Sequence, residues 1–236
     1  MKKFLVAFLL CFVVGAAHAV CADGEFDADG TCVESKFQLT TVYLTIEPDV
    51  ENITFLFSMS PVGTFYVDCG ADGTLDGTGV SGKTIVRGSV TLEQYSCTYT
   101  TGGVKTIQFG GLATGYSTDV TVSTIQFGSE VNGNNFTSTL VGGISGSLGA
   151  IFPTLGNNNG EQPRFYETFY DCSNMTGIIP LGLFNGISGQ PTRSMFNSTF
   201  SKCSGLTGSI PAGLFGNISG APITQLFMKT FYNCSR

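Results

Sequence analysis

Histidine, the side chain that most hydrolytic enzymes use as a base, occurs once in the chain, at His18. This residue lies within an expected signal peptide, so the exported protein would contain no imidazole. Serine or cysteine nucleophiles would then lack their usual base, and histidine-ligated zinc would lack its ligands. Paired carboxylates can hydrolyse glycosides without histidine, but no two acids of this sequence can be placed across a cleft. The sequence therefore indicates a protein that is not an enzyme, with a secreted hydrolase as a remote alternative.

Two groups of acidic residues carry the side chains that calcium prefers. The acids of the first group alternate with other residues, as at the start of a calcium-binding loop, but position twelve, which needs a bidentate glutamate, is Lys36. The acids of the second group lie among glycines, where tight turns are the simpler interpretation and calcium stays an alternative. The two groups are Glu25, Asp27 and Asp29, and Asp68, Asp72 and Asp76. We predict no metal site and no cofactor.

Cysteines form the remaining set of reactive side chains, and export to an oxidising compartment would let them form disulfides. Cys21 and Cys32 bracket a short acidic loop, so we expect them to pair. Three others recur at a constant interval: Cys172, Cys203 and Cys234. Zinc sites usually contain close Cys-x-x-Cys pairs, which this set lacks, so we interpret these thiols as small buried side chains stacked in register. One disulfide between neighbouring thiols stays compatible with such a stack.

The amino terminus has the three parts of a secretory signal peptide. Two lysines follow Met1, residues 4–14 are apolar, and an Ala-x-Ala cleavage pattern ends at Ala19. The apolar run is short for a bilayer span, although a membrane anchor is an alternative, as is lipidation at Cys21. We assign 1–19 to a signal peptide and expect a secreted or cell-surface protein with no transmembrane span after cleavage. The formal net charge of −6 argues against a nucleic-acid partner.

An internal repeat dominates the carboxy-terminal part of the chain. Residues 165–195 and 196–226 align without gaps over 31 positions, of which sixteen are identical, and a third copy opens at Phe227. Identical positions are mostly apolar, glycine or proline, as expected when units too small for a core of their own bury these faces on their neighbours. The pattern predicts an α/β solenoid over 142–236. Each unit is expected to hold a short strand (175–179 and 206–210), a helical turn (181–187 and 212–218) and a second short helix.

The repeat alignment separates expected core residues from expected surface residues. The repeat core is predicted to comprise Phe169, Cys172, Ile179, Leu183, Phe184, Phe200, Cys203, Ile210, Leu214, Phe215, Phe231 and Cys234. Positions that differ between copies are mostly polar and should face water, where a binding surface can vary. The candidate binding residues among them are Tyr166, Tyr170, Asp171, Arg193 and Lys202.

The sequence upstream of the repeats has a different pattern. Short runs of alternating apolar and polar residues, such as Ile53 to Met59, are separated by clusters of glycine and aspartate. Many short strands with such turns predict an antiparallel β-sandwich. The pentapeptide Thr-Ile-Gln-Phe-Gly occurs at 106–110 and again at 124–128, where it is expected to form a strand leading into the solenoid. The fold class is predicted to be mainly β, or α+β. The predicted organisation after the signal peptide is a disulfide-closed segment (20–35), the sandwich (36–111), a transitional segment (112–141) and the solenoid (142–236).

The repeats resemble those of the BspA-like leucine-rich-repeat surface proteins of bacteria. The phrase Phe-x-x-Cys-Ser-x-Leu-Thr-Gly-x-Ile-Pro at 200–211 matches their typical AFxxCSSLTSIxIP, and the resemblance covers about residues 142–236. The 31-residue unit is longer than the usual unit of this family. Plant-type leucine-rich repeats share Leu-Thr-Gly-x-Ile-Pro but carry an asparagine where this chain has Cys203.

Residues 36–111 are similar, more weakly, to PKD-type β-sandwich modules. The stretch Gly63 to Gly73 resembles their GTFxVDWGDG, and Tyr95 to Tyr99 resembles their YxHxY. Cysteine replaces the family's tryptophan at Cys69 and its histidine at Cys97, and a disulfide between the two would account for both replacements.

These resemblances imply an exported, adhesin-like protein that binds protein or glycan on a cell surface or matrix without forming covalent bonds. The alternative is a structural spacer or envelope-associated protein without a ligand of its own. The sequence ends within a repeat, after Arg236. A solenoid needs a cap on its last apolar face, so we expect either a fragment or end-to-end self-association through that face.

Overall fold

The computed structural model describes residues 26–28, 31–33, 40–70, 84–128, 137–156 and 162–234. Ten strands, one 3-10 turn and one four-residue α-helix occur in these ranges. The strands are β1 (Phe26–Ala28), β2 (Thr31–Val33), β3 (Thr40–Ile46), β4 (Ile53–Met59), β5 (Val62–Asp68), β6 (Thr84–Arg87), β7 (Glu93–Tyr99), β8 (Gly103–Gly115), β9 (Ile125–Phe127) and β10 (Val141–Gly146). The helix α1 (Leu148–Ile151) is far shorter than a bilayer span, and the described residues contain no other α-helix.

Two antiparallel sheets face each other across a common core. One has five strands in the order β10-β3-β8-β5-β6, and the other has three in the order β7-β4-β9. In β3, every second residue, including Val42, Leu44 and Ile46, is buried, while Tyr43 between them is 40% exposed. This alternation buries one face of a strand and leaves the other to water. The prediction of a mainly β fold is therefore confirmed.

A disulfide links the two sheets. Cys69 directly follows β5 of the larger sheet and Cys97 lies in β7 of the smaller one; their Cα atoms are 5.7 Å apart. Both side chains are buried in the core. The pairing expected from the two replaced residues is confirmed. The other expected pair, Cys21 with Cys32, lies outside the residues whose side chains are described.

The sandwich takes strands from beyond residue 111. Strand β8 runs to Gly115, β9 pairs with β4, and β10 pairs with β3. The second Thr-Ile-Gln-Phe-Gly copy thus supplies an edge strand of the smaller sheet. The edge strand β10 of the larger sheet comes from the segment that was assigned to the solenoid. The sandwich therefore includes residues from both predicted domains.

Within the repeats, the residues that were expected to form helices form successive turns. Positive φ recurs every four residues, at Glu167 and Asp171 and at the equivalent Ser198 and Lys202. A left-handed residue at each fourth position interrupts the α-helical hydrogen-bond series, so helix cannot propagate. The strands expected at 175–179 and 206–210 reduce to one parallel bridge between Gly177 and Leu206. The helical part of the predicted α/β architecture is therefore wrong.

Candidate functional site

Three turn-rich stretches of the repeats lie on one another, and we call 163–172, 194–203 and 225–234 turn segments 1, 2 and 3. Alternate N–H groups of segments 1 and 2 donate to carbonyls thirty residues later in the following segment. Phe169 N donates to Thr199 O at 2.8 Å, and its equivalent Phe200 N donates to Thr230 O at 2.9 Å. The 31-residue period of the sequence is therefore the spacing of a hydrogen-bonded stack.

Threonine and cysteine side chains add a second set of contacts between segments. Thr199 Oγ1 donates to Phe165 O at 2.7 Å, and Thr230 Oγ1 donates to Phe196 O at 2.8 Å. Cys203 Sγ lies 2.9 Å from Phe169 O and occupies the equivalent place for a thiol donor. These contacts explain why threonine and cysteine are identical between copies: each satisfies a buried carbonyl of the preceding segment.

Phenylalanine rings stack in columns along the same direction. Phe127, Phe169, Phe200 and Phe231 form one column with centroid separations of 5.3, 5.2 and 5.4 Å. Because Phe127 belongs to β9, the column begins inside the sandwich. The edge strand β9 also donates its Phe127 N to Thr168 O at 2.9 Å, as one turn segment does to the next. The sandwich therefore serves as the first layer of the stack.

We expect Thr199→Val to lower the free energy of unfolding by about 1–2 kcal/mol, because it removes a buried hydrogen bond and keeps the volume of the side chain. Thr199 is fully buried. Urea denaturation of the purified protein, followed by circular dichroism, measures the change. Thr207→Val is the matched control: Thr207 is exposed and its Oγ1 lies 3.5 Å from Gly177 O, so its effect should be within error. Equal losses at the two positions would contradict the role of the buried hydroxyl.

Four of the five candidate binding residues lie together on the surface of turn segments 1 and 2. The Lys202 Nζ lies 4.7 Å from the centre of the Tyr170 ring, a cation–π contact between adjacent segments. Asp171 acts electrostatically on Lys202, and Tyr166 interacts with Tyr170. All four are partly exposed. We call Tyr166, Tyr170, Asp171 and Lys202 the tyrosine–lysine cluster.

The protonation of this cluster is set by partial burial and by its own contacts. Desolvation, with the neighbouring Glu167, raises the pKa of Tyr166 to about 12. The hydrogen bond to Tyr170 and the electrostatic effect of that residue raise the pKa of Lys202. At neutral pH the cluster therefore offers a neutral phenol at Tyr166 and an ammonium at Lys202, a combination suited to hydrogen bonding and stacking.

The fifth candidate, Arg193, lies elsewhere, directly before turn segment 2, and contacts turn segment 3. Its Nε donates to Gln225 Oε1 at 3.3 Å, and its carbonyl accepts from the buried Arg164 Nε at 3.3 Å. Arg164 also donates to the carbonyl of Ser117 in the loop after β8. Sequence reasoning did not single out Arg164, which connects the sandwich loop with the residue directly before turn segment 2.

The predicted core residues divide according to how far along the stack they lie. Those of the first copy, and Phe200, Cys203 and Leu214 of the second, are at most 6% exposed. Phe215, Phe231 and Cys234 are partly covered, and Ile210 is 52% exposed. Ile210 is equivalent to the buried Ile179, whose side of the stack is covered by the following unit. Ile210 is therefore only half covered in this structure and does not share the burial of its equivalent.

The three repeat cysteines are unpaired, with Cys172 and Cys203 buried and Cys234 partly covered. Burial, with the contact to Cys203, raises the pKa of the Cys172 thiol well above its usual value. A thiolate, the form that binds metals, is thereby disfavoured at Cys172.

The acidic groups considered for calcium fall mostly outside the described residues or side chains. Among them, Asp68 is buried and accepts from the Gly70 N–H at 2.9 Å, which is turn chemistry. The described residues contain no group of three or more side chains placed to hold a metal ion.

The stack thus carries on its surface an aromatic and cationic cluster, the tyrosine–lysine cluster, in which Tyr170 and Lys202 of neighbouring repeats are in contact. No protein-family model, no curated protein and no solved structure matches the chain.

Proposed function

We propose that the chain is an exported, adhesin-like binding protein related to BspA-like surface proteins, and that its repeats form a leucine-rich-repeat-like solenoid. The N-terminal sandwich, PKD-like in its strand motifs, would serve as the support from which the repeats extend. The ligand would be protein or glycan on a cell surface or matrix, bound without covalent chemistry.

The observation that carries this proposal is the tyrosine–lysine cluster. Tyrosine is enriched at binding hot spots, since its ring offers a large contact area at low entropic cost and a polar tip. Here the cation–π contact of 4.7 Å between Tyr170 and Lys202 joins two adjacent repeats, so the cluster is ordered before any ligand arrives. Pre-ordering reduces the conformational cost of binding.

The test replaces three cluster residues by those that other repeats carry at the same positions: Tyr166→Asn, Tyr170→Ser and Lys202→Asn. We expect the triple variant to bind cells or matrix proteins at least about tenfold more weakly, a loss of roughly 1.4 kcal/mol, with its thermal unfolding unchanged. Attachment of the exported protein to immobilised matrix proteins, glycans and whole cells provides the measurement.

The matched control is Tyr43→Ser, which removes an exposed tyrosine of the sandwich that touches Ser145. This control should bind as the original protein does. Unaltered attachment of the triple variant would remove the cluster from the proposal. Binding only to envelope preparations would favour the structural spacer instead.

A further inference from the structure

The charge of the repeats is opposite in sign to that of the chain as a whole. The formal net charge of the protein is −6, yet every charged residue after Asp171 is basic. These residues are Arg193, Lys202, Lys229 and Arg236. Turn segments 2 and 3 therefore contain no acidic residue and form a cationic region on an acidic protein. Such a region attracts anionic partners and raises their local concentration.

The two lysines of this region occupy recurring positions of the turn segments. Lys202 and Lys229 both have positive φ, as do Asp171, one unit before Lys202, and Glu167, two units before Lys229. The charge at these two positions therefore changes sign between segment 1 and the segments that follow. An anionic ligand is drawn to segments 2 and 3 and repelled at segment 1, which fixes where along the stack it can lie.

Tyrosine rings hold both ammonium groups in place. The Lys202 Nζ lies 4.7 Å from the centre of the Tyr170 ring, and the Lys229 Nζ lies 5.8 Å from the centre of the Tyr232 ring. Tyr232 occupies the position of Tyr170 two units later and also acts electrostatically on Lys202. These cation–π contacts order the two lysine side chains before a ligand arrives, which lowers the entropic cost of binding.

Neither ammonium group is neutralised by a carboxylate at close range. Within the described ranges of the chain, the ion pair between Arg87 and Glu93 is the only one. Asp171 acts electrostatically on Lys202 without forming an ion pair with it. An ammonium group has three hydrogen-bond donors and no acceptor, so its natural partner is a group with acceptor oxygens and a negative charge.

We infer that turn segments 2 and 3 bind an acidic glycan, whose carboxylate or sulfate groups contact Lys202 and Lys229. The inference names the ligand class of the tyrosine–lysine cluster and therefore rests on the proposed function. Anionic groups recur at regular intervals along an acidic glycan, as the positive-φ positions do along the stack. Asn233, exposed at the position one unit after Lys202, adds an amide that can pair with sugar hydroxyls.

The test measures binding of the full protein to immobilised glycans by surface plasmon resonance. The probes are heparin, which carries sulfate and carboxylate groups, hyaluronan, which carries carboxylates alone, and neutral dextran. We expect saturable binding to heparin, to hyaluronan or to both, and none to dextran. The affinity should fall about tenfold or more when salt is raised from about 0.05 M to about 0.3 M, because exposed charges are screened. Comparing heparin with hyaluronan shows whether sulfate is required.

Three variants connect this binding to the lysines. Lys202→Gln/Lys229→Gln should weaken binding about tenfold or more, because both ammonium groups are lost. Asp171→Asn should strengthen it about twofold, because it removes a negative charge that acts on Lys202. Lys105→Gln is the matched control: Lys105 also lies over a tyrosine ring, 5.8 Å from the centre of Tyr99, but in the sandwich. This control should bind as the original protein does, and thermal unfolding checks that each variant is folded.

Four results would overturn the inference. The first is the absence of saturable binding to both acidic glycans at about 1 mM protein, which corresponds to roughly −4 kcal/mol. The second is equally tight binding to dextran, which would assign the surface to a neutral glycan. The third is equally tight binding to poly-L-glutamate, a polyanion without sugar. The fourth is unaltered binding by the double lysine variant.

The failure of this inference differs from the failure of the proposed function. If the triple cluster variant lost attachment to cells or matrix while the original protein bound neither acidic glycan, the adhesin-like function would stand and the acidic glycan would be wrong. If the triple variant kept its attachment while the double lysine variant lost heparin or hyaluronan, the lysines would bind acidic glycan and the cluster would not be the attachment site.

Discussion

Replacing Phe200 by alanine should lower the free energy of unfolding by about 3–5 kcal/mol, the range measured for large-to-small changes at fully buried aromatic positions. The ring is fully buried and is stacked between Phe169 at 5.2 Å and Phe231 at 5.4 Å. Its removal opens a cavity in the middle of the column and deprives both neighbours of a contact. Urea denaturation monitored by circular dichroism and by intrinsic tyrosine fluorescence gives the change.

Phe231→Ala is the matched control, since Phe231 belongs to the same column but is only partly covered. Its loss should be smaller, about 1–2 kcal/mol, because less apolar area leaves water on folding there. Equal effects at the two positions would contradict the interpretation of the column as a continuous core. A loss at Phe200 below about 1 kcal/mol would contradict its burial.

Reducing the disulfide between Cys69 and Cys97 should cost roughly 3 kcal/mol of stability in the chain-entropy description, since the bond closes a loop across the two sheets. The two residues are 28 positions apart in sequence. Comparing the wild-type protein with and without reductant in urea denaturation measures the loss of cross-linking, because the side chains stay the same. The unfolding midpoint should fall to a lower urea concentration on reduction.

Two variants separate this bond from other thiols. Cys69→Ala/Cys97→Ala should no longer respond to reductant, and Cys21→Ala/Cys32→Ala should respond as the wild type does if the measured effect belongs to the inter-sheet bond. The disulfide would be shown to contribute little if reduction left the unfolding midpoint of the wild type where it was.

The spacing of the stack could be predicted from the sequence because the repeat period equals the distance along the chain between stacked residues. Identical phenylalanines recur every 31 positions, and Phe169, Phe200 and Phe231 lie in one column of rings. Ring contacts of this kind depend only on which residues of successive repeats are equivalent, and an alignment of the repeats shows that equivalence directly.

The local conformation of the repeats was harder to predict, because a helix and a series of four-residue turns place the same residues on one face. Phenylalanine and cysteine three residues apart, as at Phe200 and Cys203, fit one face of a helix, but they equally fit turns that repeat every four residues. The signal that separates them is the polar residue at every fourth position, such as Asp171, since short polar side chains tolerate left-handed φ better than most. That preference is weak in Lys202 and Glu167, which adopt the same conformation.

The candidate surface was partly accessible from sequence. Differences between copies identified Tyr166, Tyr170, Asp171 and Lys202 as residues facing water, and the structure brings these four together. Arg193 shares the same sequence signal but contacts Gln225 instead. Neither its separate location nor the link that Arg164 makes to the sandwich could be read from the alignment. The first depends on which side chain of the next segment faces Arg193, and the second depends on the path of the loop after β8.

The constant offset between turn segments has a consequence for how the gene can vary. Contacts along the stack join residues at a few fixed offsets close to one unit, 30 and 34 positions for the hydrogen bonds and 31 for the stacked rings. Gain or loss of a whole unit through unequal recombination would therefore leave each remaining layer with an equivalent neighbour. An insertion of one or two codons inside a unit would instead displace all later partners at once. Natural length variants of this protein should therefore differ by multiples of a complete unit, with the two sheets unchanged.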